Sequence, residues 1–189
     1  VSLTSGSLIS AALRRKGHKV LMLDVYEGIK NIPADPLALF STVSAESYAV
    51  GSKAPTPEEI EQIKAANGGR RELIGENVIK MCKLADVTFL ALHGDMGENG
   101  QLQATLDVFD VTYTGSGYAG SLLAMDKDLT KQLLTRAGVP TAPWVYCDLT
   151  EGVEATADRI EAEVGYPVVV KPCSGGSSVG VSMPENRAE

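Results

Sequence analysis

Several common signatures are missing from this sequence, and each absence removes a class of function. It has three cysteines and two histidines in 189 residues. Cys82, Cys147 and Cys173 are odd in number and widely spaced, with no CxxC pair and no histidine cluster, so neither a disulfide framework nor a zinc site is expected. They are read as free thiols. It also lacks a basic excess: 17 Lys and Arg stand against 24 Asp and Glu, a net charge of −7. A nucleic-acid partner needs a basic face to neutralise phosphates, so any phosphate recognised here belongs to a small ligand. No apolar run approaches the roughly 20 residues of a membrane span, and the opening VSLTSGSLIS lacks the basic-then-apolar pattern of a secretory leader. No membrane association is expected, and the cytosol is the default compartment. The nucleotide fingerprints GxxxxGK[ST] and strand–GxGxxG–helix are both missing. What is present is an apolar share of 44%, ordinary for a globular protein.

The hydrophobic pattern alternates between helical and extended stretches. Leu8, Ile9, Ala12 and Leu13 share a helical face, Gly17 suits the left-handed stop, and KVLMLDVY then reads as a buried strand. The stretch 27–57 carries Pro33, Pro36, Pro55 and Pro57 and no sustained period, as a long connection would. Thr56-Pro57-Glu58-Glu59 is a helix start. Leu73, Ile74, Asn77, Val78 and Met81 give a further helical face before the strand VTFLAL, and residues 101–109 give another helix before the extended segment ending at Tyr113. Such alternation predicts a mostly parallel sheet with helices on its faces and ligand loops at the carboxyl ends of its strands. From about Gly117 the pattern becomes mixed. Leu122, Leu123, Met125, Leu129, Leu133 and Leu134 supply one or two short helices stopped by Gly138. The segment TAPWVYC reads as a strand, Val153, Ala157, Ile160 and Val164 lie at helical spacing, and PVVVKP is a short apolar strand.

Three loops carry chemistry. In His93–Gly100, the glycines at 94, 97 and 100 allow tight turns and close approach to a ligand, while His93 and Glu98 can meet a small zwitterion. A surface turn is the plainer account, in which Glu98 organises the loop by accepting glycine N–H groups. In CSGGSSVG, directly after Lys171, Gly175 and Gly176 expose backbone N–H groups and Ser174, Ser177 and Ser178 add hydroxyls, a setting suited to phosphate. A hairpin loop is the alternative. Against it, a lysine at the end of an apolar strand is costly to bury without an anion. The third loop, Ala124-Met125-Asp126-Lys127, lies at a helix junction, where Asp126 as a helix cap is the simple account.

The order of these loops carries a resemblance. ALHGDMGENGQLQ, VTYTGSG, AMDKDLTKQLLTRAGVPTAPW and PVVVKPCSGGSSVGVS together resemble D-alanine–D-alanine ligases of the ATP-grasp superfamily in sequence and spacing. The likeness is strongest from Phe89 to Val181 and absent around Pro33 to Pro57. It implies an α/β architecture. Residues 1–116 would form a Rossmann-like (pre-ATP-grasp) parallel-sheet domain that binds substrate, and 117–189 the first part of an ATP-grasp α+β domain, both incomplete. In that family ATP phosphorylates the carboxylate of one D-alanine, and the amine of a second attacks the acyl phosphate to give the dipeptide of peptidoglycan precursors. Mg²⁺ usually assists. The resemblance assigns Lys127 and Lys171 to the ATP phosphates, Gly176, Ser177 and Ser178 to the loop folding over the reacting groups, and His93 to the first D-alanine carboxylate. It also implies a homodimer formed through the first domain.

The departures set expectations of their own. The family's first strand and its substrate-ammonium glutamate would precede Val1, and its Mg²⁺ ligands and intermediate-stabilising arginine would follow Glu189. These 189 residues alone are therefore expected to show little or no ligase activity. Ala104, Asp107 and Thr112 also differ from the residues the family more often carries. Two rival functions remain open: a ligase joining D-alanine to D-lactate or D-serine, and a non-catalytic nucleotide-binding or oligomerising module.

Overall fold

The computed structural model describes residues 2–43, 56–176 and 178–189. Much of the 27–57 connection therefore lies outside the described residues. The chain divides into two compact units, one of residues 1–92 and 103–115, the other of 93–102 and 116–189.

The first unit opens with helix α1, Ser2–Arg15, closed by Gly17 at φ 87°. The expected face is rotated. Leu8 is exposed, and the buried position is Ser10, one turn from Gly6, against which the Met22 methyl packs at 3.4 Å from the Cβ position. Small residues let the helix approach its neighbours closely, and that closeness outweighs the leucine. Helix α2, Pro57–Ala66, starts as its sequence dictates: Thr56 and Glu59 form a reciprocal capping box with proline in the first turn. Helix α3, Val78–Leu84, begins later than the period from Leu73 suggests. Gly75 is the reason. A Cβ there would stand 2.5 Å from the Tyr26 carbonyl oxygen and 2.7 Å from the Gly28 nitrogen, so the chain at 75–77 is committed to backbone pairing with 25–29 instead of to a helix. Met81 in α3 and Leu106 in α5, Gln101–Val108, are each 1% exposed and centre this unit's core.

The expected strands are extended segments that pair at single residues. Thr88 pairs in parallel with Tyr113, its N–H donating to the Thr112 carbonyl at 2.8 Å and its carbonyl accepting the Thr114 N–H at 3.0 Å. Gly28 pairs in parallel with Glu76. In KVLMLDVY, Val20 bridges antiparallel to Ser41 and the Val25 carbonyl accepts the Gly75 N–H at 2.8 Å, and the segment is half-buried at most of its positions. There Arg14 takes the place of further ladder bonds, donating to the Ser41 carbonyl at 3.1 Å and the Val20 carbonyl at 2.9 Å.

In the second unit, the short helix α4, Asp95–Glu98, lies in the His93–Gly100 loop. Helices α6, Tyr118–Met125, and α7, Lys127–Arg136, follow, then α8, Val153–Glu163, with Ile160 buried. TAPWVYC is extended without a bridge among the described residues, and Val170 pairs antiparallel with Ser182. Arg187 donates to Glu154, Asp158 and Glu161 at 2.7, 2.7 and 2.9 Å, tying the segment after this pair to α8. A single planar fork serving three carboxylates is a role lysine cannot fill. Arg187→Ala is therefore expected to loosen the pairing: the Val168 N–H, bonded to the Pro184 carbonyl at 3.1 Å, should exchange with solvent several-fold faster, and Arg187→Lys should only partly restore its protection.

Candidate functional site

The second unit brings the two glycine-rich loops together. Val168 donates to Pro184, and Val170 and Ser182 exchange backbone bonds at 2.9 Å, so residues 171–181 form a loop closed by an antiparallel pair. Inside it Gly180, at φ 72°, lies with its Cβ position 3.0 Å from the Pro172 ring. The hairpin alternative thus describes the backbone correctly, and it leaves the loop open to a ligand. Gly175, at φ 119°, has nothing within 4 Å of its Cβ position. Ser178 sits at φ 58° and is exposed.

The other loop meets this one through Glu98. Its carboxylate accepts the Gly94 N–H, the organising bond expected of it. The same oxygen, Oε2, lies 3.2 Å from where a Cβ on Gly176 would stand, with the Gly94 backbone at 3.9 Å. Glycine at 176 is what lets the loops approach this closely. Gly94 at φ 75° and Asp95 at φ 39° make the sharp turn into α4, and His93 stands exposed at its entrance.

The third motif joins the same place. Asp126 caps α7, accepting the Leu129 N–H at 2.9 Å. It also accepts the Cys173 thiol proton at 3.2 Å across a separation of 47 residues. Lys127 donates through Nζ to the carbonyls of Cys173 at 3.2 Å and Gly175 at 3.0 Å, and its backbone N–H also reaches the Cys173 carbonyl at 3.0 Å. Behind α7, Trp144 donates to Asp128 at 2.8 Å, while Lys131 lies 5.2 Å from the indole centroid and donates to the Ala142 carbonyl at 2.7 Å. These bonds fix the helix that carries Lys127.

Of the residues expected in a site, His93, Lys127, Gly176 and Ser178 lie on the loops so assembled, and Lys171 lies at the hairpin's mouth. Ser177 lies outside the described residues. Lys171 is exposed, so the cost of burying it is no longer an argument for phosphate; what remains is its availability to an anion. Cys173 and Trp144 are additions that no pattern in the sequence marks, because their partners lie far along the chain or one turn beyond the motif. The three cysteines are free thiols, and burial pushes Cys82 up from its usual range.

The Asp126 carboxyl is held below its ordinary value of 3.8, first by the Leu129 N–H and then by the Cys173 thiol. A depressed folded-state value means this stabilisation is complete above 3.8 and fades as pH falls further. Acid titration of helicity should therefore become shallower below that pH in Asp126→Asn than in the native chain, as circular dichroism would show.

Among the described residues no three His, Cys, Asp or Glu side chains converge to hold a metal ion. Nor is any described helix long and apolar enough to cross a membrane.

Two solved D-alanine–D-alanine ligases resemble the chain. The D-alanine–D-alanine ligase of Bacillus anthracis matches with a TM-score of 0.52 and 32% identity over 70% of this chain and 47% of that one. The ligase from Coxiella burnetii matches at 0.50 and 32% over 55% of this chain and 31% of that one. The D-ala D-ala ligase N-terminus model covers residues 1–116 and the D-ala D-ala ligase C-terminus model covers 133–189, so the chain belongs to the D-alanine–D-alanine ligase family. Among its curated relatives, the D-alanine–D-alanine ligase of Pediococcus pentosaceus is 37% identical over all of this chain and 52% of its own length. That of Lacticaseibacillus casei is 35% identical over 51% of its length. The chain spans about half the length of the curated relatives it matches.

Proposed function

We propose that these residues supply the substrate and phosphate loops of an ATP-dependent D-alanine–D-alanine ligase, which joins two D-alanines through an acyl phosphate for peptidoglycan precursors. Residues 1–116 act as the substrate-binding domain and 117–189 as the start of the ATP-grasp domain. The observation that carries the reading is Glu98, which holds Gly94 and abuts Gly176. Phosphorylating a carboxylate requires it to lie about 3–3.5 Å from the phosphorus it attacks. Loops that separately hold a carboxylate and a phosphate must therefore touch.

ATP supplies the phosphoryl group that turns a carboxylate into an acylating agent. The open space at Gly175, the exposed Lys171 and the loop hydroxyls fit its phosphates. Lys171 and Lys127 bring positive charge to them, Gly176, Ser177 and Ser178 fold over the reacting groups, and His93 orients the D-alanine carboxylate. Mg²⁺, which the family usually uses, would offset the charge of the transferring phosphoryl group.

The test is phosphate release by a chain of the relatives' full length containing these residues, given ATP, Mg²⁺ and either D-alanine alone or D-alanine with D-lactate or D-serine. Release with D-alanine alone, accompanied by the dipeptide in mass spectra, is the expected result. Release only with D-lactate or D-serine would move the assignment to the corresponding ligase. ATP binding that no D-amino acid turns into release would indicate a nucleotide-binding module.

A further inference from the structure

Three consecutive residues hold the Cys173–Gly175 segment. Asp126 accepts the Cys173 thiol at 3.2 Å, Lys127 binds the Cys173 and Gly175 carbonyls, and the Gly175 N–H points at the Met125 sulfur at 3.4 Å. Only the lysine follows from the motif. The same Oδ1 of Asp126 also accepts the Leu129 N–H, so the rigid start of α7 determines where the thiol, and with it the loop, can sit. We propose that Asp126 is a positioning residue for the phosphate loop, acting through the Cys173 thiol and needing no contact with substrate itself. A bond to an ionised acceptor is stronger than a neutral one, which suits it to hold a loop whose glycines would otherwise wander. Lys127 gains as well. With the loop anchored by the thiol, its Nζ can leave the two carbonyls for an incoming anion without the loop collapsing.

The consequence for nucleotide binding rests on the ATP reading; the loop's placement does not. Two measurements on a chain of the relatives' full length containing these residues separate them. The first is the rate of Cys173 alkylation by iodoacetamide, followed by mass spectrometry with buried Cys82 as internal reference. Asp126→Ser keeps a helix-capping hydroxyl but is too short to reach the thiol as well, and should raise the rate roughly five- to tenfold, the scale of one lost hydrogen bond from a weak thiol donor. Asp126→Asn keeps the oxygen acceptor without the charge and should raise the rate clearly less than Asp126→Ser. The second is ATP titration followed by isothermal calorimetry. Asp126→Ser and Cys173→Ala should each weaken ATP binding by roughly five- to tenfold with at most a small fall in melting temperature, and the double variant should bind ATP no worse than either alone, because both remove one link. Equal acceleration by serine and asparagine, or additive losses in the double variant, would overturn the proposal. If the native chain gives no response to ATP, the nucleotide reading falls, and the alkylation rates still decide the role of Asp126.

Discussion

Gly100→Ala is expected to destabilise the second unit more than any other single methyl addition in it. Its φ of 91° is left-handed, and a Cβ there would stand 2.4 Å from the Tyr118 carbonyl oxygen and 3.2 Å from the Leu122 nitrogen. Both are backbone atoms of α6 or its first turn and cannot swing aside. Left-handed strain costs about 1–3 kcal/mol and overpacking a further 1–3 kcal/mol, so roughly 2–6 kcal/mol should be lost. Gly138→Ala separates the two effects. It has a φ of 72° with nothing within 4 Å, so it should show the strain alone. Urea unfolding would resolve the pair: a lower midpoint at unchanged slope for both, with the larger drop for Gly100→Ala. Equal drops would mean that the close approach of the His93–Gly100 loop to α6 is not present in solution.

Lys171→Ala should raise the KM for ATP roughly ten- to hundredfold in a chain of the relatives' full length, since a charge-assisted contact is worth about 1.5–3 kcal/mol. Its melting temperature should not move, because Lys171 is exposed. Lys127→Ala should behave differently. That lysine already bonds the Cys173 and Gly175 carbonyls, so its removal should disturb the loop without nucleotide and affect both KM and stability. Steady-state kinetics with thermal melts distinguishes the two lysines. An unchanged KM for Lys171→Ala would remove it from the phosphate site.

The helices that proved readable in the sequence are those whose signals are local. Thr56-Pro57-Glu58-Glu59 contains its own capping box, and Gly17 and Gly138 end their helices by taking left-handed backbone that other residues resist. The misreadings share a non-local cause. Leu73 and Ile74 continue a helical period on paper, but Gly75 is held against Tyr26 and Gly28, nearly fifty residues earlier in the chain. Leu8 lost its place to Gly6 and Ser10 because helix burial depends on how near a neighbour can come. The site divides the same way. Its loops were visible as glycine clusters, and Glu98's bond to Gly94 spans four residues. That Glu98 also meets Gly176, or that Asp126 holds Cys173, depends on a tertiary arrangement that no periodicity encodes.

If the adjoining loops let a D-alanine carboxylate attack ATP, one labelling measurement shows it directly. D-alanine carrying ¹⁸O in its carboxylate is supplied with ATP and Mg²⁺ to a chain of the relatives' full length containing these residues, and the released phosphate is weighed. An acyl phosphate keeps one carboxylate oxygen bridging carbon and phosphorus, and that oxygen departs with phosphate when the second amine attacks. Phosphate bearing one ¹⁸O is therefore predicted, whereas unlabelled phosphate would mean that water, not the carboxylate, had received the phosphoryl group.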